Sequence, residues 1–279
     1  MQIINTVEEM QKFSDLAREE KKTIGLVPTM GYLHEGHLSL IKRAGKECDI
    51  VIVSIYVNPT QFGPNEDLSK YPHDFQRDKT ICIENNVNAI FCPTDDSMYQ
   101  QGYQTFVNVE NLTKSLCGKS RPTHFKGVTT IVSKLFNCTK PHKAYFGQKD
   151  YQQTRVIKQM TRDLNYNVDI IVCPIIREKD GLAMSSRNRY LNEEERKSAL
   201  VLSRSLDLAK KLIDKGETNP EKIQREMVKL IESENSTRID YIELVDVDNL
   251  TPKDRIEGKI LIALAVFVGK TRLIDNLLV

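Results

Sequence analysis

The sequence contains no long apolar run, no C-x-x-C pair and almost no net charge, and each absence argues against a class of function. The longest apolar run, 260–268, is far too short to span a bilayer, and Glu8, Glu9 and Asp15 fall where a signal peptide needs an unbroken apolar stretch. A cytoplasmic protein with no membrane partner is expected. Its six cysteines (Cys48, Cys82, Cys92, Cys117, Cys138, Cys173) are scattered, which argues against a zinc knuckle or a dithiol redox motif and fits reduced thiols. Against 40 Lys and Arg stand 38 Asp and Glu, a formal charge of +2, so the chain lacks the concentrated basic face of a dedicated nucleic-acid binder. Small molecules are the expected partners.

What is present is an alternation. The length of 279 residues, 40% hydrophobic and 28% charged, suits one large α/β domain or two domains with their own cores. Short apolar runs rich in β-branched residues at 24–28, 50–57, 89–92, 143–146 and 168–174 read as buried strands. Amphipathic stretches at 38–47, 74–85, 128–137 and 151–164 read as helices between them. The fold class is therefore α/β, a Rossmann-like parallel sheet, with ligands expected in the crevice beyond the carboxyl ends of the strands. Beyond about residue 175 the texture changes to a polar stretch at 177–188, a long charged helix at 192–215 capped by Asn192, another at 220–234, and strands at 238–247 and 259–269. A smaller α+β C-terminal domain is expected, giving domains at 1–175 and 176–279.

Two segments carry the chemistry. In 27–37 an apolar run leads into Met30-Gly31-Tyr32-Leu33-His34-Glu35-Gly36-His37 and then a helix. A strand, a glycine turn and a helix N-terminus leave backbone N–H groups and the positive helix end aimed at one place, which suits an anion. Two imidazoles there can donate to phosphoryl oxygens as charge builds. A zinc-protease helix needs histidines at i and i+4, whereas His34 and His37 stand at i and i+3, so that reading is poor. A surface turn whose histidines merely cap the helix stays open. In 177–188, Met184, Ser185, Ser186 and Arg187 offer hydroxyls and a guanidinium fork able to grip a polyphosphate; an exposed interdomain linker is the alternative.

The combination of His-x-Gly-His and a later Met-Ser-Ser-Arg resembles the nucleotidyltransferase superfamily, and within it the pantothenate synthetase family. Six blocks carry the resemblance in order: Pro-Thr-Met-Gly-x-Leu-His-x-Gly-His at 28–37, Val-Asn-Pro-Thr-Gln-Phe-Gly at 57–63, Tyr-Pro at 71–72, His-Phe-Lys-Gly-Val at 124–128, Phe-Gly-Gln-Lys-Asp-Tyr-Gln-Gln at 146–153, and Arg-Glu-x-Asp-Gly-Leu-Ala-Met-Ser-Ser-Arg-Asn at 177–188. They cover the first two thirds of the chain. The family usually has glycine where this chain has Thr123, a change that could alter the loop's backbone freedom.

The resemblance implies an ATP-dependent, AMP-forming ligase of pantothenate biosynthesis: (R)-pantoate and ATP give pantoyl adenylate and pyrophosphate, then β-alanine displaces AMP. It implies that Met30 to His37 bind ATP, with His34 and His37 catalytic and His37 the assigned proton donor. Gly147, Gln148, Lys149 and Asp150 would form a second ATP contact, Lys149 on a phosphate and Asp150 on the ribose. Ile176 would touch the nucleotide, and Met184, Ser185, Ser186 and Arg187 would close over the phosphates. Gln61 would serve pantoate and β-alanine, and Gln153 pantoate. ATP brings Mg²⁺ with it, for which Asp78 is a candidate ligand. A homodimer and a hinged C-terminal lid are also implied. His73 and His142 read as solvated loop residues, and His124 with Lys126 as either near the phosphates or simple loop structure. The rivals are a nucleotidyltransferase that leaves the nucleotide on its product, and a nucleotide-binding regulatory module without turnover. A tRNA synthetase is disfavoured by the low charge and by the want of an anticodon-binding extension.

Overall fold

The computed structural model describes residues 1–64 and 66–279. They form two compact units: Met1–Glu110 with Arg121–Gln148 and Gln153–Pro174, and Asn111–Ser120 with Lys149–Gln152 and Ile175–Val279. Reading along the chain gives one break after residue 175, whereas the structure also assigns two short excursions to the C-terminal unit. Their bonds explain it: the Ser120 hydroxyl donates to Asp240, and Asn276 Nδ2 donates to the Lys149 carbonyl. Among the described residues no helix is long and apolar enough to cross a membrane.

The first unit is built on six strands, β1 (Gln2–Ile4), β2 (Ile24–Thr29), β3 (Ile50–Ile55), β4 (Ala89–Phe91), β5 (Lys143–Gly147) and β6 (Asp169–Cys173). All their pairings are parallel, in the order β1-β4-β3-β2-β5-β6. Helices α1 (Val7–Glu19), α2 (Glu35–Glu47), α3 (Phe75–Glu84), α4 (Asp95–Met98), α6 (His124–Thr139) and most of α7 (Tyr151–Asp163) belong to it; α5 (Cys117–Ser120) belongs to the other unit. Five of the strands are those the apolar runs announce. The short edge strand β1 and helix α1, capped by Thr6 whose hydroxyl accepts from Glu9 N, lie in a segment to which the sequence reading assigns no element.

From β2 the chain proceeds to β3 on one side, while β5, on the other side of β2, proceeds outward to β6. The carboxyl ends of β2 and β5 are thus the switch point at which such sheets bind ligands. Val27, Leu33, Leu40, Ile41, Ala44, Val53, Ile90 and Tyr145 pack as one core that holds the 30–37 turn on its strand. Each fully buried aliphatic side chain contributes roughly 1.5–3 kcal/mol. His142 is not the solvated residue its proline-flanked loop suggests: its Nδ1 accepts from Ile24 N at 2.9 Å and ties the start of β5 to β2, and burial lowers its pKa. His73 is exposed.

The second unit is an antiparallel sheet, β7 (Thr237–Asp246), β8 (Ile260–Val268) and β9 (Thr271–Leu278) in that order, with α8 (Glu193–Ala199), α9 (Val201–Asp214) and α10 (Pro220–Glu232). Leu202, Leu206, Ile223, Met227, Ile231, Ile262, Leu264 and Val266 form its core. Asn192 caps α8 as expected, in a reciprocal box with Glu195 (2.9 and 3.0 Å). The single helix expected over 192–215 breaks at Leu200, whose N–H reaches the Lys197 carbonyl three residues back and tightens the turn. Strand β9 is a further element the sequence hides, because its Asp275 and Asn276 are 2% and 3% exposed although polar.

Candidate active site

Strand β2 ends at Thr29, whose hydroxyl bridges the Ser54 carbonyl (2.7 Å) and Gly31 N (3.1 Å). The chain then reverses through two left-handed residues, Gly31 at φ 84° and Tyr32 at φ 52°. A side chain at 31 would meet Asp78 Oδ2 and Ile55 Cγ2, each at 3.1 Å, so glycine is required there for space as well as torsion. Helix α2 begins at Glu35 rather than at 38, which brings both histidines into its first turn. His34 Nδ1 accepts from Gly36 N at 3.1 Å, and His37 Nδ1 accepts from His34 N at 3.3 Å. The rings lie 4.1 Å apart, tilted by 33°. An imidazole whose Nδ1 accepts carries its hydrogen on Nε2 in the neutral form. Capping thus sets both rings as Nε2–H donors at a helix N-terminus, so the capping alternative and the anion reading describe the same geometry.

Asp78, on α3, is 1% exposed and holds this turn together. Its Oδ2 accepts from Tyr32 N at 2.7 Å and its Oδ1 from Leu33 N at 2.8 Å. Burial pushes its carboxyl above the usual carboxylate range, against the pull of those two N–H groups. With both oxygens engaged by backbone, Asp78 does not fit the role of a Mg²⁺ ligand, and the Tyr32 and Leu33 amides point to it rather than to a phosphate. Among the described residues no cluster of three or more His, Cys, Asp or Glu could hold a metal ion.

The second loop of this unit presents Gln61 from a 3₁₀ turn, Pro59–Gln61. Gln61 Nε2 donates to Met30 Sδ at 2.9 Å, joining two of the residues singled out in the sequence, and its Oε1 accepts from Asn58 Nδ2 at 3.2 Å. Asn58, 1% exposed, in turn donates to the Gly127 carbonyl and accepts from the Tyr99 hydroxyl at 2.7 Å. Helix α6 presses so closely that a Cβ on Gly127 would stand 2.4 Å from Thr60 O and 2.6 Å from Gln61 N. His124 Nδ1 donates to the Gln61 carbonyl at 2.9 Å, joined by Arg121 Nη2 at 3.3 Å, while Lys126 lies over the Phe106 ring at 4.3 Å. His124 therefore steadies the Gln61 backbone. Sequence reasoning gives no role to Asn58, Tyr99 or Gly127, and only the positions of Asn58 and Gly127 inside matching blocks hint at their part. Gln153 is half-buried in the first turn of α7. Thr123 sits at φ −94°, ψ −12°, a torsion open to any residue, so the absence of glycine there costs nothing.

In the C-terminal unit, 176–188 fold as a tight hairpin. Arg177 bridges Ala183, Met184 N donates to Ile176 O at 2.9 Å, and Gly181 turns at φ 97°. Ile176 and Met184 are thereby adjacent. Arg177 Nη1 reaches the Gly181 carbonyl (3.1 Å) and forms with Nη2 a two-pronged pair with Asp275 (2.6 and 3.0 Å). Asn188 donates to Glu178 (2.6 Å) and to the Ala183 carbonyl (3.1 Å). Ser185 accepts from Arg187 N and opens the 3₁₀ turn Ser186–Tyr190. Of the other expected ATP contacts, Gly147 ends β5 and Gln148 follows it in the first unit, while Lys149 and the exposed Asp150 belong to the second.

A doubly wound sheet with paired imidazoles capping a helix at its switch point is the layout of an α/β protein suited to an anionic nucleotide. The pantoate-beta-alanine ligase family model matches residues 2–278. Pantothenate synthetase of Thermotoga petrophila is 57% identical over 99% of each chain, and that of Caldicellulosiruptor saccharolyticus 56% identical over 100% of this chain and 99% of the other. Among solved structures, pantothenate synthetase from Thermus thermophilus aligns with TM-score 0.95 at 40% identity over 99% of each chain. Pantoate-beta-alanine ligase from Francisella tularensis, complexed with beta-gamma ATP and beta-alanine, aligns with TM-score 0.81 at 36% identity over 100% of this chain and 97% of that one. The chain belongs to the pantoate-beta-alanine ligase family.

Proposed function

We propose that the chain condenses (R)-pantoate with β-alanine through pantoyl adenylate, releasing pyrophosphate in the first step and AMP in the second. The observation that carries the reading is the pair of Nε2–H donors at the N-terminus of α2, on the turn that begins with Met30 and its partner Gln61. In the first step the pantoate carboxylate attacks the α-phosphorus and the bond to the β,γ-diphosphate breaks, moving charge onto pyrophosphate. His34 and His37 supply hydrogen bonds that strengthen as that charge grows. A neutral ring that gave up its only proton would become an imidazolate, so the tautomer favours hydrogen-bond donation by His37 over full proton transfer.

Met30 to His37, with Gly147 and Gln148, serve ATP in the first unit; Lys149, Asp150, Ile176, Met184, Ser185, Ser186 and Arg187 serve it in the second. Lys149 and Arg187 supply positive charge to the phosphates and Asp150 accepts from ribose hydroxyls. Gln61 and Gln153 orient pantoate by neutral amide contacts, which leave its carboxylate nucleophilic where a guanidinium would stabilise the ground state. In the second step the uncharged amine of β-alanine attacks the acyl carbon, loses a proton, and AMP departs. Mg²⁺ arrives on the ATP phosphates. A cytoplasmic homodimer with a mobile C-terminal lid completes the proposal; the free state of all six cysteines is in keeping with it.

The test is incubation with ATP, pantoate and β-alanine. AMP should accumulate only when both acids are present. Pyrophosphate release without AMP, on a product that retains the nucleotide, would support a simple nucleotidyltransferase instead, and AMP release with one acid alone would contradict the condensation.

A further inference from the structure

Asp275 and Asn276 are consecutive residues of β9, so their side chains leave the strand on opposite faces. Both are buried although polar. Asp275 reaches the Arg177 guanidinium with both oxygens, and Arg177 in turn holds the Gly181 carbonyl at the tip of the 176–188 hairpin. Asp275 Oδ1 also accepts from Asn276 N at 2.8 Å, which fixes the strand's own backbone at the junction. Asn276 Nδ2 reaches the other way, to the Lys149 carbonyl at 2.9 Å. One dipeptide thus binds the two segments of this unit to which ATP contacts are assigned, the peptide bearing Lys149 and Asp150 and the hairpin bearing Met184 to Arg187.

We propose that Asp275 and Asn276 are positioning residues of the adenylation step, fixing the spacing between these two nucleotide-gripping segments without themselves meeting the substrate. The inference rests on the ATP role proposed above for Lys149 and for 184–187. The chemistry supports a registering function over a merely stabilising one. A buried carboxylate with a guanidinium is a poor source of net stability compared with apolar packing, yet its paired hydrogen bonds specify one geometry. Asn276 donates from its side-chain amide to a carbonyl of the 3₁₀ turn Gln148–Asp150, outside the sheet. A shift of about 1 Å in grouped ligands can cost on the order of a hundredfold in rate.

The experiment compares the full-length wild type with Asn276→Ala and Arg177→Lys in three readouts: pyrophosphate release at varied ATP, pyrophosphate release at varied pantoate, and β-alanine capture of chemically prepared pantoyl adenylate. Asn276→Ala should raise KM for ATP about tenfold while KM for pantoate and the β-alanine step stay within about twofold. Arg177→Lys, which keeps the charge but loses the fork, should move the same parameter in the same direction by less. If Asn276→Ala does not fold, Arg177→Lys, at a side chain one-third exposed, carries the test by itself. An unchanged KM for ATP, or equal loss in all three readouts, would overturn the proposal. A wild type that forms no AMP from ATP, pantoate and β-alanine would contradict the proposed reaction instead, before any variant is compared.

Discussion

The turn at 30–37 and the hairpin at 176–188 are both glycine-bearing loops held by a buried carboxylate from a distant part of the sequence, but they are held by different chemistry. Asp78 grips backbone: two N–H groups of a strained, left-handed segment, with the Arg77 guanidinium no nearer than 3.8 Å. Asp275 grips chiefly a side chain, the Arg177 guanidinium, at 2.6 Å, with a single backbone N–H, that of Asn276, at 2.8 Å. Loss of Asp78 takes the acceptor from two backbone donors that are fixed in place, whereas loss of Asp275 takes it from one, Asn276 N, and leaves a cation that is one-third exposed and can turn to water. The first anchor therefore sets backbone torsion; the second sets where a loop sits.

The largest effect expected from that contrast is on stability. Asp78→Ala strands two backbone N–H groups at about 1–3 kcal/mol each and should cost about 4 kcal/mol. Asp275→Ala, relieved by solvent at Arg177, should cost about 2 kcal/mol, below the usual range for a broken buried pair. Urea unfolding of the two variants measures both, and a larger loss for Asp275→Ala would break the comparison. Gly127→Ala is next: its methyl group would collide with Thr60 O and Gln61 N, which are backbone and cannot swing aside. We expect a loss of about 3 kcal/mol, near the upper end for overpacking, and a rise in KM for pantoate without one for ATP.

Thr123→Gly should do little, since the native torsion is already ordinary. It should cost about 0.5–1 kcal/mol through the entropy of the unfolded chain and leave turnover unchanged, as a thermal melt and one assay would show. The smallest effect is a pH dependence. Asp246 accepts from Asn249 N and Asp248 N, which, with Lys253, lower its pKa from 3.8 to about 2. A carboxylate depressed on folding stabilises the native state above its unfolded pKa, and that contribution disappears as pH falls through the folded one. Asp246→Ala should thus be less stable than wild type by about 0.5 kcal/mol at neutral pH, after allowance for solvent screening. The gap should close between pH 3.8 and about 2 in acid-unfolding curves. Asp78 and Asp275 carry the opposite sign, because burial raises both, so ionising them as pH rises opposes folding.

These contrasts also mark how far the sequence can be read. Strands β2 to β6 are legible because their runs are apolar on both faces, and the His34 and His37 turn because strand, glycine and helix follow one another locally. Strand β1 is three residues long, and β9 interrupts its apolar pattern with buried Asp275 and Asn276, so neither announces itself. The long helix over 192–215 carries no breaker at Leu200, where the structure nevertheless divides it. Asp78 draws attention as a carboxylate suited to a metal, but its partners Tyr32 and Leu33 lie 46 and 45 residues away, a separation that no local pattern encodes. Asn58 and Tyr99 escape notice for the same reason: their value lies in bonds to each other and to Gln61 and Gly127.

The central claim is that the paired Nε2–H donors at the start of α2 carry transfer of the adenylyl group. Exchange of labelled pyrophosphate into ATP measures that step in isolation. The wild type should exchange when pantoate is supplied and β-alanine is withheld, and His37→Ala should exchange roughly 10²- to 10³-fold more slowly, the usual consequence of removing one such donor. Exchange that demanded β-alanine, or that survived undiminished in His37→Ala, would contradict it.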